Sequence, residues 1–308
     1  MSDVLERLDA LAAERGIELG VDVPLGPLTT LRLGGPADRL ATPRSRDELL
    51  AALALARDAG VPLFMLGNGS DVVVADAGIR GLVVRNRARG LEVDGETLAA
   101  DSGAPMAMLV KRCTVEGLAG FEFGISIPGS LGGAVWANAG AHGGEMRDVV
   151  TQVEVLADGE PLVLDAADCA FAYRESRFKH SGEVVLGATI ALQRGDRDEI
   201  AARVAANQAQ RKATQPLAEQ NAGSVFRNPP GDHAGRLIDA AGLKGFRLGT
   251  AQVSTLHANF MLSDPGGRAA DVRALGDHVR AVVAERFGVE LQYEIEFVGD
   301  WTPARVAA

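Results

Sequence analysis

Apolar residues follow two different spacings along this chain, and their alternation predicts short strands interleaved with helices. Where apolar positions recur every three or four residues we expect a helix, and where they run together or alternate we expect a strand. Helices are predicted over residues 3–15, 49–59, 106–116, 234–241 and around 272–282, and strands over 61–66, 72–74, 82–84, 91–100, 149–156, 161–164, 184–192 and 290–298.

One further helix has sequence signals at both of its ends. Asp196 and Glu199 have the spacing of a capping box, and Pro216 cannot continue a helix because its nitrogen carries no hydrogen. We therefore place one domain boundary at residues 205–213 and another near residue 86, between two strand-containing segments.

Length and composition predict a folded protein of about two domains. Apolar residues make up 47% of the 308 residues and charged residues 23%, which is typical of globular proteins. The net charge of −10 argues against broad binding of nucleic acid or of an anionic membrane surface. Because the chain contains neither a signal-peptide pattern nor a run of about 18 apolar residues, we expect a cytoplasmic protein without a membrane partner.

Two other residue types limit the chemistry. Cys113 and Cys169 lie in apolar segments without the spacing of a disulfide framework, so we expect buried thiols in a reducing compartment. The five histidines show no metal-ligand spacing, and Ser126 is not within a G-x-S-x-G motif. A metal site and a nucleophilic hydrolase are therefore not predicted.

Glycine is enriched, with 37 residues, many of them in residues 117–144. Such a stretch predicts an irregular segment that wraps a flat ligand, with a mobile loop as the alternative, because glycine disfavours regular elements. Residues 67–71 follow an apolar strand, where free N–H groups can converge on a phosphate, although an ordinary tight turn has the same pattern. Neither a G-x-G-x-x-G nor a Walker motif is present.

Seven sequence motifs occur in one order along the chain. They are residues 29–37, 66–70, 127–133, 138–141, 171–176, 222–229 and 257–260. Together they resemble the family of the UDP-N-acetylenolpyruvoylglucosamine reductases, flavoenzymes that make UDP-N-acetylmuramate for bacterial peptidoglycan. The resemblance extends from about residue 24 to residue 299.

The resemblance implies an α+β fold with a two-subdomain FAD-binding unit of the PCMH/vanillyl-alcohol-oxidase type and a smaller α/β substrate-binding domain. The N-terminal residues fall outside the match. The expected segments are an N-terminal helical extension (1–20), FAD-binding subdomain 1 (21–86), FAD-binding subdomain 2 (87–205), the substrate-binding domain (206–299) and a C-terminal tail (300–308).

The resemblance also implies the reaction and its cofactors. NADPH reduces non-covalently bound FAD, and the reduced flavin transfers hydride to the methylene carbon of the enolpyruvyl group of a UDP-sugar. The neighbouring carbon is then protonated. The preference for NADPH and a monomeric state are expectations of the same kind.

Three residues match the catalytic positions of the family. Arg174 suits stabilisation of a carbanion that delocalises into a carboxylate, because its guanidinium is permanently charged and bidentate. Ser224 matches the proton donor. Glu294 matches the C-terminal catalytic glutamate, and the alternation of the last strand allows it to face a cleft. Taken without the resemblance, these residues would be interpreted as a surface arginine, a turn serine and a solvated glutamate.

The remaining site residues are assigned by the same matches. For FAD they are Leu66, Gly67, Asn68, Gly69, Ser70, Asp71, Ser126, Ile127, Pro128, Gly129, Ser130, Asn138, Ala139, Gly140 and Gly143. For the UDP-sugar they are Tyr173, Arg227, Asn228, Gln252 and His257.

The chain departs from the family pattern at two positions. Leu256 stands where a lysine is common, and Glu296 where an arginine is common. No candidate exists for the tyrosine-bearing loop of the longer subclass, so the chain resembles the shorter subclass. Two alternatives remain open: another oxidase or dehydrogenase of this flavin-binding type, with His142 as the residue for a covalent flavin bond, and a non-catalytic module that binds FAD or a UDP-sugar.

Overall fold

The computed structural model describes residues 2–301, so residues 302–308 of the predicted tail lie outside the described part of the chain. The helices are α1 (Ser2–Arg15), α2 (Arg46–Ala59), α3 (Met106–Glu116), α4 (Leu131–Trp136), α5 (Phe178–Ser181), α6 (Arg197–Thr214), α7 (Ala234–Ala240) and α8 (Ala269–Phe287). The strands are β1 (Gly20–Pro24), β2 (Pro36–Ala41), β3 (Leu63–Leu66), β4 (Val72–Val74), β5 (Ile79–Arg85), β6 (Leu91–Asp94), β7 (Thr97–Asp101), β8 (Leu118–Ala119), β9 (Gly140–Ala141), β10 (Gly144–Glu145), β11 (Val150–Ala157), β12 (Glu160–Asp165), β13 (Val184–Ala191), β14 (Gln193–Arg194), β15 (Asn221–Ser224), β16 (Arg247–Leu248), β17 (Ala251–Val253), β18 (Phe260–Ser263) and β19 (Glu296–Val298).

The first compact unit comprises residues 2–19, 41–68 and 84–211. Its sheet has the strand order β12-β11-β13-β7-β6, and all neighbouring strands are antiparallel. Side chains alternate between the two faces of a strand, so Leu98, Val153 and Ile190 point into one core, which they share with residues of α3 and α4. Both cysteines are buried in this unit as free thiols, as predicted.

The second compact unit comprises residues 20–40, 69–83 and 212–301. Its antiparallel sheet has the order β15-β18-β17-β16, and α7 and α8 contribute to the same apolar core, which contains Phe226, Ile238 and Leu275. Strand β4 pairs in parallel with β19, with Val72 opposite Glu296. This unit therefore combines early and late parts of the chain.

The grouping differs from the continuous segments expected from the sequence. Residues 21–86 are divided between the two units, because β4 lies next to the last strand. Hydrophobic spacing reports only local structure, so it contains no signal for this long-range pairing. The assignment of FAD and substrate binding to separate segments stays a prediction.

Several predicted elements are confirmed, among them α1, α3 and α6. The carboxylate of Asp196 accepts hydrogen bonds from the backbone N–H groups of Asp198 at 2.9 Å and Glu199 at 3.0 Å, so it caps α6 as predicted. Within residues 2–301, no helix has both the length and the apolar character needed to cross a membrane.

Two predictions of local structure were wrong. The glycine-rich stretch contains the short helix α4, because Leu131, Ala134 and Val135 are buried on one side of it. Glycine at position 132 is needed there, since a Cβ atom would lie 2.8 Å from the Cβ of Ser102. The last strand covers only Glu296–Val298 instead of 290–298, and Tyr293 forms an isolated bridge with Phe226.

Candidate active site

Two loops of the first unit come within hydrogen-bonding distance of each other. The side-chain amide of Asn68 donates to the carbonyl oxygen of Pro128 at 3.4 Å. A Cβ atom on Gly67 would lie 2.5 Å from the hydroxyl oxygen of Ser130, so the two loops also approach closely at these residues. The predicted cofactor residues 66–68 and 126–130 are therefore neighbours, and backbone N–H groups from such loops suit a diphosphate.

The continuation of the first loop, residues 69–71, belongs to the second unit. Gly69 has φ of 64°, and a Cβ atom there would lie 2.5 Å from the carbonyl oxygen of Leu28. The carbonyl oxygen of Asp71 accepts from the backbone N–H of Glu296 at 3.0 Å. These contacts hold residues 69–71 within the second unit, and their role in binding FAD stays a prediction.

Strands β9 and β10 form a hairpin in the glycine-rich stretch. Its two turn residues, His142 and Gly143, both have positive φ, 51° and 83°, as in a type I′ turn. Nε2 of His142 lies 2.7 Å from Oγ of Ser126. The predicted residues Gly140 and Gly143 are thereby tied to the segment that begins at Ser126, and Ala139 immediately precedes the hairpin.

Asn138, which lies just before the hairpin of β9 and β10, is 0% exposed, and its side chain makes three hydrogen bonds. Its amide nitrogen donates to Oε2 of Glu145 at 2.9 Å and to the carbonyl oxygen of Ala172 at 2.7 Å, while its amide oxygen accepts from the backbone N–H of Arg147 at 2.9 Å. The side chain is therefore committed to protein partners. It links residues 145 and 147 to the carbonyl of Ala172, and the assignment of Asn138 to FAD binding stays a prediction.

Arg174 occupies a tight turn. Ala172 and Glu175 exchange two backbone hydrogen bonds of 3.0 Å, which leaves Tyr173 and Arg174 at the tip. Arg174 has φ of 54°, a conformation that is strained for a residue with a Cβ atom and that recurs at functional sites. Its guanidinium donates to the carbonyl oxygen of Gly140 at 2.9 Å and lies over the Tyr173 ring.

Ser224 and Glu294 are carried by neighbouring backbone segments of the second unit. Val225, next to Ser224, donates to the carbonyl oxygen of Asn259 at 2.8 Å and accepts from the backbone N–H of Glu294 at 2.8 Å. Both side chains are partly buried. The backbone segments that carry Ser224 and Glu294 are therefore adjacent in the second unit, whereas Arg174 belongs to the first unit.

The predicted substrate residues differ in how they are held. The side chain of Tyr173, in the first unit, is 46% exposed. In the second unit, the backbone N–H of Arg227 donates to the carbonyl oxygen of Gln292 at 2.9 Å. The side-chain oxygen of Asn228 accepts from the backbone N–H of Ala234 at 3.0 Å, which is the first N–H of α7.

Gln252 and His257 also have partners within the second unit. Both ends of the Gln252 amide are bonded, to the carbonyl oxygen of Gly245 and to the guanidinium of Arg247. Nδ1 of His257 accepts from the backbone N–H of Asn259 at 3.2 Å. Burial, together with the charge of Lys244, lowers the pKa of His257, so its ring is neutral and its other nitrogen is a donor.

Sequence reasoning missed one residue that organises this region. Asn259 is buried, and its side chain exchanges hydrogen bonds with both backbone groups of Phe226, at 3.0 and 2.8 Å. Its position in motif 257–260, directly before an apolar strand, was the available signal, because a polar side chain that is buried there needs hydrogen-bond partners.

Comparisons with known proteins identify one family. Residues 37–165 match the model of an FAD binding domain, and residues 215–298 match the UDP-N-acetylenolpyruvoylglucosamine reductase C-terminal domain. The reductase of Moorella thermoacetica is 46% identical over 299 residues, covering 95% of this chain and 99% of its own length. That of Anaeromyxobacter dehalogenans (strain 2CP-C) is 46% identical over 93% of this chain and 87% of its own length.

A solved structure supports the same relationship. The reductase from Thermus caldophilus has a TM-score of 0.78 and 35% identity, covering 91% of this chain and 98% of its own chain. Together with the FAD-binding domain match, it confirms the predicted α+β fold class with a separate C-terminal domain. The chain belongs to the UDP-N-acetylenolpyruvoylglucosamine reductase family.

Proposed function

We propose that this chain is an FAD-dependent oxidoreductase that uses NADPH to reduce UDP-N-acetylglucosamine enolpyruvate to UDP-N-acetylmuramate in peptidoglycan biosynthesis. The observation that carries the proposal is the strained turn that presents Arg174 and anchors its guanidinium on Gly140, inside the segment expected to hold the flavin. The family relationship supports the same substrate and cofactors.

The residues expected to hold FAD fit that group. Within the first unit, residues 66–68 approach Ser130 closely, and backbone N–H groups of such loops suit the diphosphate of FAD. The hairpin 140–145 is tied to the segment that begins at Ser126. When bound, FAD supplies hydride transfer from NADPH to the enolpyruvyl methylene carbon. The site residues of this chain act on the substrate.

Each catalytic residue has a distinct task in this proposal. Addition of hydride leaves negative charge on the neighbouring carbon and its carboxylate, and Arg174 stabilises that charge with a fixed positive group. Ser224 donates a proton to the carbon; a serine hydroxyl is a weak acid and can do so because the carbanion is strongly basic. Glu294 lies in the backbone segment bonded to Val225 and assists this transfer.

The proposal is tested by an anaerobic two-step titration of the purified protein. We expect a yellow protein whose flavin absorption is bleached by NADPH and restored by UDP-N-acetylglucosamine enolpyruvate, with slow recovery in oxygen. Fast recovery in oxygen and none with the substrate would indicate the oxidase alternative. A protein that binds FAD but is not bleached would indicate a non-catalytic module. Release of the colour on acid precipitation tests non-covalent binding.

A further inference from the structure

Thr30 joins two segments of the second unit that contain predicted site residues. Its backbone N–H donates to the carbonyl oxygen of Gly69 at 2.9 Å. Its hydroxyl donates to the carbonyl oxygen of Asn221 at 2.7 Å and lies 3.3 Å from the Gly69 oxygen. Because a hydroxyl has a single hydrogen, the shorter contact with Asn221 is the main bond. Thr30 therefore connects the loop 69–71 to the first residue of β15.

Strand β15 is irregular between that first residue and the catalytic serine. Asn221 pairs with Leu262 and Ser224 pairs with Phe260, so β15 has an extra residue between these two pairs. Gly223 has φ of 81° within this irregularity. A β-bulge changes the direction in which the next side chain points, and here that side chain belongs to Ser224.

The bulge is fixed on both sides by hydrogen bonds. On its C-terminal side, Val225 is bonded to Asn259 and Glu294, as described above. On its N-terminal side, the side-chain oxygen of Asn221 accepts from the backbone N–H of Gly223 at 3.0 Å. The hydroxyl of Thr30, which lies in residues 20–40 of the same unit, donates a hydrogen bond to the carbonyl oxygen of Asn221. Removing that hydroxyl would leave the N-terminal side without this anchor.

We propose that Thr30 is a positioning residue that holds the β15 bulge in the form that aims Ser224 for proton transfer to the substrate. The inference rests on the proposed function, because the direction of Ser224 matters only if a substrate carbanion is protonated. Thr30 acts through Asn221 and the bulge and does not itself contact the reacting atoms. Its hydroxyl is therefore needed for the second half-reaction and not for reduction by NADPH.

The kinetic test compares Thr30→Val, which keeps the shape and removes the hydroxyl, with Thr30→Ser, which restores it. Thr97→Val is the matched control, since the Thr97 hydroxyl makes a similar 2.8 Å bond to the carbonyl oxygen of Asp94 in a hairpin of the first unit. Loss of one hydrogen bond predicts a decrease on the order of tenfold in the substrate-dependent step of Thr30→Val. Its reduction by NADPH, and both steps of the other two variants, are expected within about twofold of wild type.

Two further measurements separate positioning from general damage. In the FAD-containing protein, hydrogen exchange of the amides of residues 221–224 is expected to be faster in Thr30→Val and unchanged in Thr97→Val. In a Ser224→Ala background, Thr30→Val is expected to cause no further loss, because the two residues act on one step. If Thr30→Val does not fold, Thr30→Ala is measured in the same way.

The outcomes distinguish this inference from the proposed function. Wild-type protein that is not reoxidised by the substrate would refute the proposed function. If wild type is reoxidised but Thr30→Val slows both half-reactions equally, slows neither, or adds its full effect to that of Ser224→Ala, the role assigned to Thr30 is wrong. Unchanged hydrogen exchange at residues 221–224 would also overturn it.

Discussion

Replacement of Asn138 by glycine tests whether one buried amide organises the segment that presents Arg174. Glycine tolerates the left-handed backbone at this position, where φ is 42°, so the substitution removes the side chain with little backbone strain. The three hydrogen bonds described above are lost, and Ala172, which begins the Arg174 turn, loses one of them.

The size of the effect follows from these partners. Each of the two bonds to backbone groups contributes about 1 kcal/mol, and the bond to the Glu145 carboxylate about 2 kcal/mol. We therefore expect Asn138→Gly to lower the free energy of unfolding of the first unit by about 4 kcal/mol. Asn138→Ala should lower it by about 1 kcal/mol more, because a residue with a Cβ atom is disfavoured in the left-handed region.

The assay is urea unfolding followed by tryptophan fluorescence. Trp136 lies in the first unit and Trp301 in the second, so a Trp301→Phe background makes the signal specific to the first unit. Asn207→Ala, which removes a single 3.2 Å bond to the carbonyl oxygen of Glu122, is the control and should lose about 1 kcal/mol or less. A loss below about 1 kcal/mol for Asn138→Gly, or an alanine variant more stable than the glycine variant, would refute the reasoning.

Three other predictions concern the loop, the thiols and one histidine. Gly69→Ala should abolish retention of FAD, since its Cβ atom would lie 2.5 Å from the Leu28 carbonyl oxygen. The control Gly60→Ala, at φ of 72° but with nothing within 4 Å, should lose only about 1 kcal/mol of stability and keep the flavin. Equal FAD affinities of the two variants in an absorption titration would contradict this. Burial raises the pKa of Cys113 to about 12 and that of Cys169 to about 11. A thiol reagent at about pH 8 should therefore label neither cysteine in the folded protein and both after unfolding. Rapid labelling of the folded chain would disprove this prediction. Because the pKa of His257 is lowered from 6.5 in the folded protein, the unfolded chain binds this proton first as the pH falls, so the free energy of unfolding should decrease as the pH is lowered from about 6.5. In urea titrations, His257→Gln should make this dependence on pH weaker. An unchanged dependence on pH would exclude the mechanism.

Local sequence signals predicted those helices that have residues marking a helix start or stop at their ends. The limits of α3 agree with the prediction, because Pro105 precedes it and Gly117 follows it. The helix α4 was missed because its glycines lower helix propensity. The close packing that requires glycine at position 132 is a tertiary contact with Ser102, which no local pattern reports. The last strand was overestimated because the alternation of residues 291–297 also occurs in an extended segment that makes only an isolated bridge.

Sequence motifs predicted candidate site residues, but they did not predict the contacts that hold those residues in place. Arg174, Ser224 and Glu294 were assigned through the residues around them, and their catalytic roles stay predictions. Asn138 was predicted as a cofactor contact, although its side chain is bonded to three protein groups. The role of Thr30 depends on a pairing between distant parts of the chain, and no periodicity in the sequence reports such a pairing.

The most direct test of the account is the mass of the UDP-sugar after complete anaerobic turnover with NADPH. We predict that UDP-N-acetylglucosamine enolpyruvate gains the mass of two hydrogen atoms and that one NADPH is oxidised for each product molecule. Oxidation of NADPH without any change in the mass of the UDP-sugar would contradict the account.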